Sequence, residues 1–341
     1  MLDVNPGSMT VLCTYQCTAA CRQCCFESSP QVAGRLQGAV IRERIAEAKR
    51  EFSSLSLVAF SGGEPFLLRD ELIDCVEYAS SLGLRTRIVS NGSWAKRMAR
   101  ATSLCEALAS AGLNELNLST GADHQEFVPE TSIVNAALAA VKSGIGTVVT
   151  VETDTEDSGC YASLVGDARI RELLKGALRV IKNYWVPFFS DALPRMGEFD
   201  PGAVRVGCSQ IFKNLVVTPH DNLSACCGIT LEHIPEMRLG RLDGSNMKEL
   251  HARQQDDFLK YWISVAGPYA IIESVMGEAA SQYLGGVVHG CQACAILHRT
   301  PEIRAAIKRQ YIERMEDVMT RFAMDRLLEE RFEIARGKYG P

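Results

Sequence analysis

From Met9 to about residue 200, short apolar runs alternate with longer stretches whose apolar positions recur every three or four residues. The pattern predicts strands over 10–13, 56–60, 86–89, 115–119, 147–151 and 180–186. Between them it predicts helices over 38–52, 69–81, 94–111, 131–143 and 170–178, with Gly83 and Gly112 as stops. Strand–helix units in series imply an α/β fold with a parallel sheet and right-handed crossovers. Ser61-Gly62-Gly63 and Ser90-Asn91-Gly92 then end two strands on one rim. In curled α/β sheets that C-terminal rim is where ligands bind.

After Pro194 the rhythm breaks. Residues 201–300 hold short strand-like runs at 215–218 and 223–225 and five more cysteines. Residues 301–337 read as one charged helix that opens on Pro301, a favoured first-turn residue. Ile303, Ile307, Tyr311 and Met315 share a face of it, expected to pack on the body. The expected organisation is a partial (β/α)6, TIM-like barrel over 1–200, a small cysteine-rich domain over 201–300 and a helical segment over 301–341.

The 341 residues suit one large domain plus an appendage, and at 47% hydrophobic they supply a sizeable core. Net charge is −5, from 41 acidic and 36 basic residues. That balance argues against a general nucleic-acid or anionic-membrane binder, because phosphate surfaces need basic partners. No apolar run reaches about 18 residues and no secretory signal opens the chain, so neither a membrane span nor export is expected. Thirteen cysteines are many for this length. In the cytoplasm, where thiols stay reduced, clustered cysteines favour metal binding over disulfides.

Three of them dominate. Cys17, Cys21 and Cys24 lie in Cys-Thr-Ala-Ala-Cys-Arg-Gln-Cys, with no fourth ligand nearby. Three thiolates on a short loop can hold three irons of a cubic 4Fe–4S cluster and leave the fourth open to a group that is not protein. Part of a zinc site is the other reading, since Cys-x2-Cys is a common zinc element. Cys13 reads as core, and Cys25, adjacent to Cys24, does not readily face the same cluster. One strand later, Ser61-Gly62-Gly63-Glu64-Pro65 allows a sharp turn and close approach of backbone to a ligand.

The run Thr14–Cys24 followed by Gly62-Gly63-Glu64-Pro65 resembles the radical S-adenosylmethionine superfamily over about residues 10–200. The resemblance implies that the open iron is chelated by the amino and carboxylate groups of S-adenosylmethionine, and that Gly62, Gly63 and Glu64 accept from that amino group. It implies reductive cleavage to a 5′-deoxyadenosyl radical that abstracts hydrogen from substrate. By position, Ser90, Asn91 and Ser119 resemble residues that contact the nucleoside, although turn and strand-end chemistry accounts for each equally well. Relatives usually place an aromatic residue before the third cysteine; here it is Gln23.

Cys208, the pair Cys226-Cys227, and Cys291-x2-Cys294 form another group, from which four can close a second 4Fe–4S cluster or a structural zinc site. Residues 217–228, followed by Leu239-Gly240, resemble the auxiliary-cluster extension called SPASM, or its shortened form, twitch. Five cysteines fit the shortened form with one cluster. Cys226 rather than Cys227 takes the family position, giving Cys208, Cys226, Cys291 and Cys294 as ligands. Asp221-Asn222 stand where relatives carry Gly in the hairpin, and both tolerate the left-handed conformation.

Asp123, His124, Glu152 and Cys160 are further rim candidates, read as solvated loop groups. His289 and His298 bracket Cys291 and Cys294. The resemblance favours oxidative modification of a ribosomally made peptide by cross-link or C–X or C–C bond formation. Dehydrogenation or epimerisation of a small metabolite is the alternative, and a non-catalytic zinc module is the reading of a different class. The expected electron donor is a flavodoxin or ferredoxin. The chain begins almost at its first strand, so a leader peptide would be recognised elsewhere or by another protein.

Overall fold

A computed structural model of the chain describes residues 4–153, 159–184, 201–228 and 234–338. Nine strands form one sheet: β1 (Ser8–Thr14), β2 (Leu57–Gly62), β3 (Arg85–Ser90), β4 (Glu115–Gly121), β5 (Gly146–Thr153), β6 (Leu178–Tyr184), β7 (Asn214–Val217), β8 (Asn222–Ser224) and β9 (Arg238–Arg241). Their order is β6-β5-β4-β3-β2-β1-β7-β8-β9. The strands β1 to β6 are parallel, and β7 adds to β1 in parallel with Ser8 opposite Asn214. A tight turn then leads into antiparallel β8, and β9 closes the edge. The expected parallel (β/α)6 arrangement is therefore present, and the cysteine-rich part continues its sheet on the β1 side. Residues 185 and 186, assigned from sequence to the sixth strand, lie outside the described residues.

The crossovers run through α1 (Gly38–Glu51), α2 (Asp70–Ser81), α3 (Met98–Ser110), the short α4 (Ala122–Gln125), α5 (Glu130–Lys142), α6 (Cys160–Gly166) and α7 (Ala168–Leu173). The later part adds α8 (Pro201–Val204), α9 (Met247–Ala252), α10 (Phe258–Ala266), α11 (Pro268–Met276), α12 (Ser281–Leu284), α13 (Gly290–Arg299) and α14 (Pro301–Lys338).

Strand alternation decides which face is core. Met9, Val11, Cys13, Val58, Phe60, Ile88, Leu116, Leu118, Val149 and Val151 are buried together in the main apolar core with Ile41, Ile45, Leu72, Val76 and Ile133 of the helices. The alternate positions carry polar groups: Arg87 reaches Glu115 at 2.7 Å, and Thr150 Oγ1 donates to Asn117 at 3.2 Å. One face of the sheet is thus packed, and the other holds polar side chains beside a cavity.

Three expectations change in detail. Residues 94–111 are not one helix: Ser93–Ala95 is a 3₁₀ turn, and α3 starts at Met98. The helix expected over 170–178 stops at Leu173, and Leu178 already belongs to β6. On α14, Ile303 and Ile307 are buried as expected, Tyr311 is partly exposed yet keeps its ring against Phe258, and Met315 is exposed, while Val318 and Phe322 are buried again. Phe322 packs edge-on against Phe212 and Tyr261.

Candidate active site

The loop after β1 carries Cys17, Cys21 and Cys24, and the end of β2 holds its start. Gly63 N donates to Thr14 O at 2.7 Å, and Glu64 N to Gln16 O at 3.0 Å. A Cβ on Gly62 would stand 2.4 Å from Thr14 O, and one on Gly63 2.2 Å from Gln16 O. Gly62 also has φ +119°. Both glycines are therefore required by the main chain of the cysteine loop, whereas the sequence suggested close approach to a ligand.

Cys17, Cys21 and Cys24 line a cavity of about 240 Å³ at the C-terminal rim, together with Gly62, Gly63, Ser90, Asn91 and Ser119. Cys25 and Gln23 share that wall, and Phe26 is an aromatic side chain on it. Glu64 does not reach the cavity surface; it is 1% exposed. Its carboxylate accepts from Ser90 Oγ at 2.9 Å, Asn91 N at 2.9 Å and Phe66 N at 3.1 Å. Ser90 Oγ in turn accepts from Gly92 N and from Trp94 Nε1, both at 3.0 Å, and the Trp94 ring stacks on Phe66 at 4.5 Å. Ser90 and Glu64 thus bind each other and tie β2 to β3.

Burial pushes the Cys17 thiol up to about 11 and raises Cys21 as well. Cys24 is lowered to about 6, first because the Cys25 thiol donates to it. Among the described residues, no three His, Cys, Asp or Glu side chains converge as ligands of a single metal ion. A cubic cluster instead takes one thiolate per iron around a space, which is how these three cysteines stand about the cavity. The donor set is all thiol sulfur, the usual ligand of iron–sulfur clusters. The residues fit such a cluster at Cys17, Cys21 and Cys24.

Two rim residues were undervalued by sequence. His124 and Glu152, read as solvated loop groups, both line the cavity. His124 Nδ1 lies 2.7 Å from Glu152 Oε2. Burial disfavours the imidazolium, but the Glu152 charge outweighs it and raises the His124 pKa. The pair depends on strand register, since Gly121 at the end of β4 lies opposite Glu152. Asn183 of β6 and His289 complete that side of the wall. Cys160, by contrast, joins the apolar core.

The second cysteine group is also assembled. Gly228 N donates to Cys226 Sγ at 3.0 Å, and a Cβ on Gly228 would meet Cys226 Sγ at 3.0 Å and Cys291 Sγ at 3.3 Å. Burial raises Cys226, and the charges of Cys291 and Cys208 add to it; the same two neighbours act on buried Cys294. Cys227 turns elsewhere, its sulfur 3.3 Å from Gln210 Oε1, and packs on the small cluster of Leu12, Tyr15 and Val216. Cys208 is held because Val206–Cys208 lies against the C-terminal end of α10: Cys208 N donates to Ile263 O at 2.9 Å, and Gly267 (φ +79°) leaves no room for a Cβ beside Val206 O. Cys291 and Cys294 sit one turn apart on α13, whose N-terminus His289 caps by accepting from Cys291 N at 3.1 Å. His298, in the last turn of α13, is buried, and burial lowers it to about 4.

An open α/β half-barrel with a three-cysteine loop on its C-terminal rim is the architecture these observations define. Residues 11–151 match the model of the Radical SAM superfamily. The chain is 29% identical over 120 residues to YydG of Bacillus subtilis (strain 168), a protein named for peptide biosynthesis. The match covers 35% of this chain and 37% of YydG, so the chain spans little more than a third of that relative. Among solved structures, native anSMEcpe with bound AdoMet and Cp18Cys peptide is similar with a TM-score of 0.55 and 12% identity, over 93% of this chain and 99% of that chain. Native anSMEcpe with bound AdoMet gives 0.52 and 11%, over 91% and 99%. Likeness at such identity is likeness of fold, and it extends the partial-barrel assignment to the parallel sheet β1–β6.

Proposed function

We propose that this protein is a radical SAM enzyme that oxidatively modifies a ribosomally made peptide, with a second iron–sulfur cluster beside the first. The observation that carries the reading is the cavity where the three-cysteine loop meets the Gly62-Gly63 turn and the ends of β3 and β4. In it Cys17, Cys21 and Cys24 would hold a 4Fe–4S cluster, and main-chain groups of Gly62 and Gly63 with Ser119 would receive S-adenosylmethionine. When bound and reduced, that cluster supplies the electron that cleaves S-adenosylmethionine to a 5′-deoxyadenosyl radical, which takes a hydrogen atom from substrate.

The chain's own residues prepare this. The glycines bring the cysteine loop against β2, Glu64 fixes the end of β3, and His124, Glu152, Asn183 and His289 line the same cavity as the cysteines. Cys208, Cys226, Cys291 and Cys294 would hold the second cluster, in a domain over 201–300 that follows the barrel of 1–200 and precedes the helical segment of 301–341. Bound there, it would supply an acceptor for the electron that a substrate radical must lose in a net oxidation. The electron for the first cluster would come from an external flavodoxin or ferredoxin. Peptide is favoured over a small metabolite by the likeness to YydG.

The test is anaerobic reconstitution with iron and sulfide, followed by dithionite and S-adenosylmethionine. Brown protein with about eight irons that forms 5′-deoxyadenosine is expected, and Cys17→Ala abolishes that product. A colourless, zinc-loaded protein, or cleavage retained in Cys17→Ala, would refute the reading. Incubation with short peptides encoded beside its gene, read by mass spectrometry for loss of two hydrogens, tests the substrate class.

A further inference from the structure

The two motifs of the radical SAM domain meet at Asn91. Its main-chain N–H donates to Glu64 Oε2 at 2.9 Å. Its side-chain Oδ1 accepts from Ser93 N at 3.0 Å, which fixes the orientation of the amide. The Nδ2 group then faces the cysteine loop. One hydrogen goes to Thr18 Oγ1 at 3.0 Å and the other to Cys17 Sγ at 3.4 Å. Thr18 Oγ1 donates onward to Ser93 Oγ at 2.8 Å, so its lone pairs are available to Asn91. Asn91 is 5% exposed, and this network uses its side-chain donors and acceptor with good geometry. Cys17 Sγ receives a second donor, Ala19 N, also at 3.4 Å.

A hydrogen bond to a ligating sulfur withdraws electron density from an iron–sulfur cluster and favours its reduced form. We propose that Asn91 is a positioning residue that raises the reduction potential of the first cluster through its hydrogen bond to Cys17. The buried Glu64 carboxylate holds the Asn91 main chain so that this amide reaches the sulfur. The inference rests on Cys17 being a cluster ligand. It differs from the role expected from sequence, in which Asn91 contacts the nucleoside. The redox event is a one-electron reduction by an external one-electron donor. At the Asn91–Cys17 contact no bond forms or breaks and no proton moves.

The test is a potentiometric titration of reconstituted protein without S-adenosylmethionine, read by electron paramagnetic resonance. The first-cluster signal is recognised beforehand as the one S-adenosylmethionine perturbs. Asn91→Leu removes the donor without adding charge. At a fixed potential its ratio of reduced to oxidised cluster is expected to fall about threefold, a shift of about 30 mV at about 59 mV per tenfold for one electron. Asn91→Asp keeps the acceptor for Ser93 N and is expected to shift further in the same direction. Thr18→Val leaves the Asn91–Cys17 bond and should titrate like wild type. If Asn91→Leu fails to bind iron, the isosteric Asp variant carries the test. Iron-replete variants with the wild-type potential would overturn this proposal alone. Wild-type protein that binds no iron would overturn the reading of the site with it.

Discussion

Glu64 is a carboxyl group shut away from water, with one hydroxyl and two main-chain N–H groups donating to it. Burial raises its pKa to about 7 from 4.5, although the hydrogen bonds from Asn91, Phe66 and Ser90 pull the other way. The folded chain therefore binds this proton more tightly than the unfolded chain does. The contribution to stability is complete below about pH 4.5 and is lost as the pH rises through 7, amounting to roughly 3 kcal/mol over that window. Glu64→Gln should flatten the same segment of a urea-midpoint against pH curve for iron-free protein. An unchanged slope between pH 4.5 and 7 would assign the pH dependence to other groups. The sequence made Glu64 visible but not its direction. Its motif pointed to the cavity, whereas the side chain turns inward because Ser90 and Asn91 stand one strand away with donors to offer. For His124 and Glu152 the opposite held. Each looked solvated alone, and only the β4–β5 register brings them 2.7 Å apart.

At the scale of elements, α1 is joined to the β7–β8 turn by Arg44. Its Nε and Nη2 reach the two oxygens of Asp221 at 2.9 and 2.6 Å, while Nη1 meets Glu47 at 3.2 Å. Glu47 also accepts from Met247 N at 2.9 Å and so receives the start of α9. Asp221 occupies the turn at φ +56°, the left-handed conformation expected where relatives carry glycine. Removing one partner of a buried pair costs roughly 3–5 kcal/mol. Asp221 keeps 19% of its side-chain exposure, so Arg44→Met should cost less, about 2 kcal/mol, measured as a lower denaturant midpoint. A midpoint within error of wild type would mean that the turn holds without this clamp. Strands and most helices were legible because local alternation and periodicity set them. The helix expected from Trp94 was not, because Trp94 is bound to Ser90 in a turn that only the assembled rim defines.

For the whole molecule, the start of α13 belongs to both cysteine groups. His289 lines the cavity of the first group, and Cys291, two residues on, belongs to the second. Sequence position already favoured Cys226 over Cys227, and the structure turns their sulfurs apart: Cys226 toward Cys291, Cys227 toward Gln210. Cys226→Ala is therefore expected to lose about four irons and Cys227→Ala to retain them. Iron analysis giving the reverse would exchange the two roles. What the sequence did not disclose is how the second group reaches the first. The pairing of β1 with β7 spans some two hundred positions and has no local signal.

That pairing has a bearing on how such chains are assembled from parts. With β7 at its side, β1 is an interior strand; without it, β1 would present a row of unanswered amides and carbonyls. The cysteine-rich tail is thus not a bead on a string that can be exchanged for another. A graft taken from a relative would have to arrive with an edge strand that matches β1 in direction, register and inward side chains.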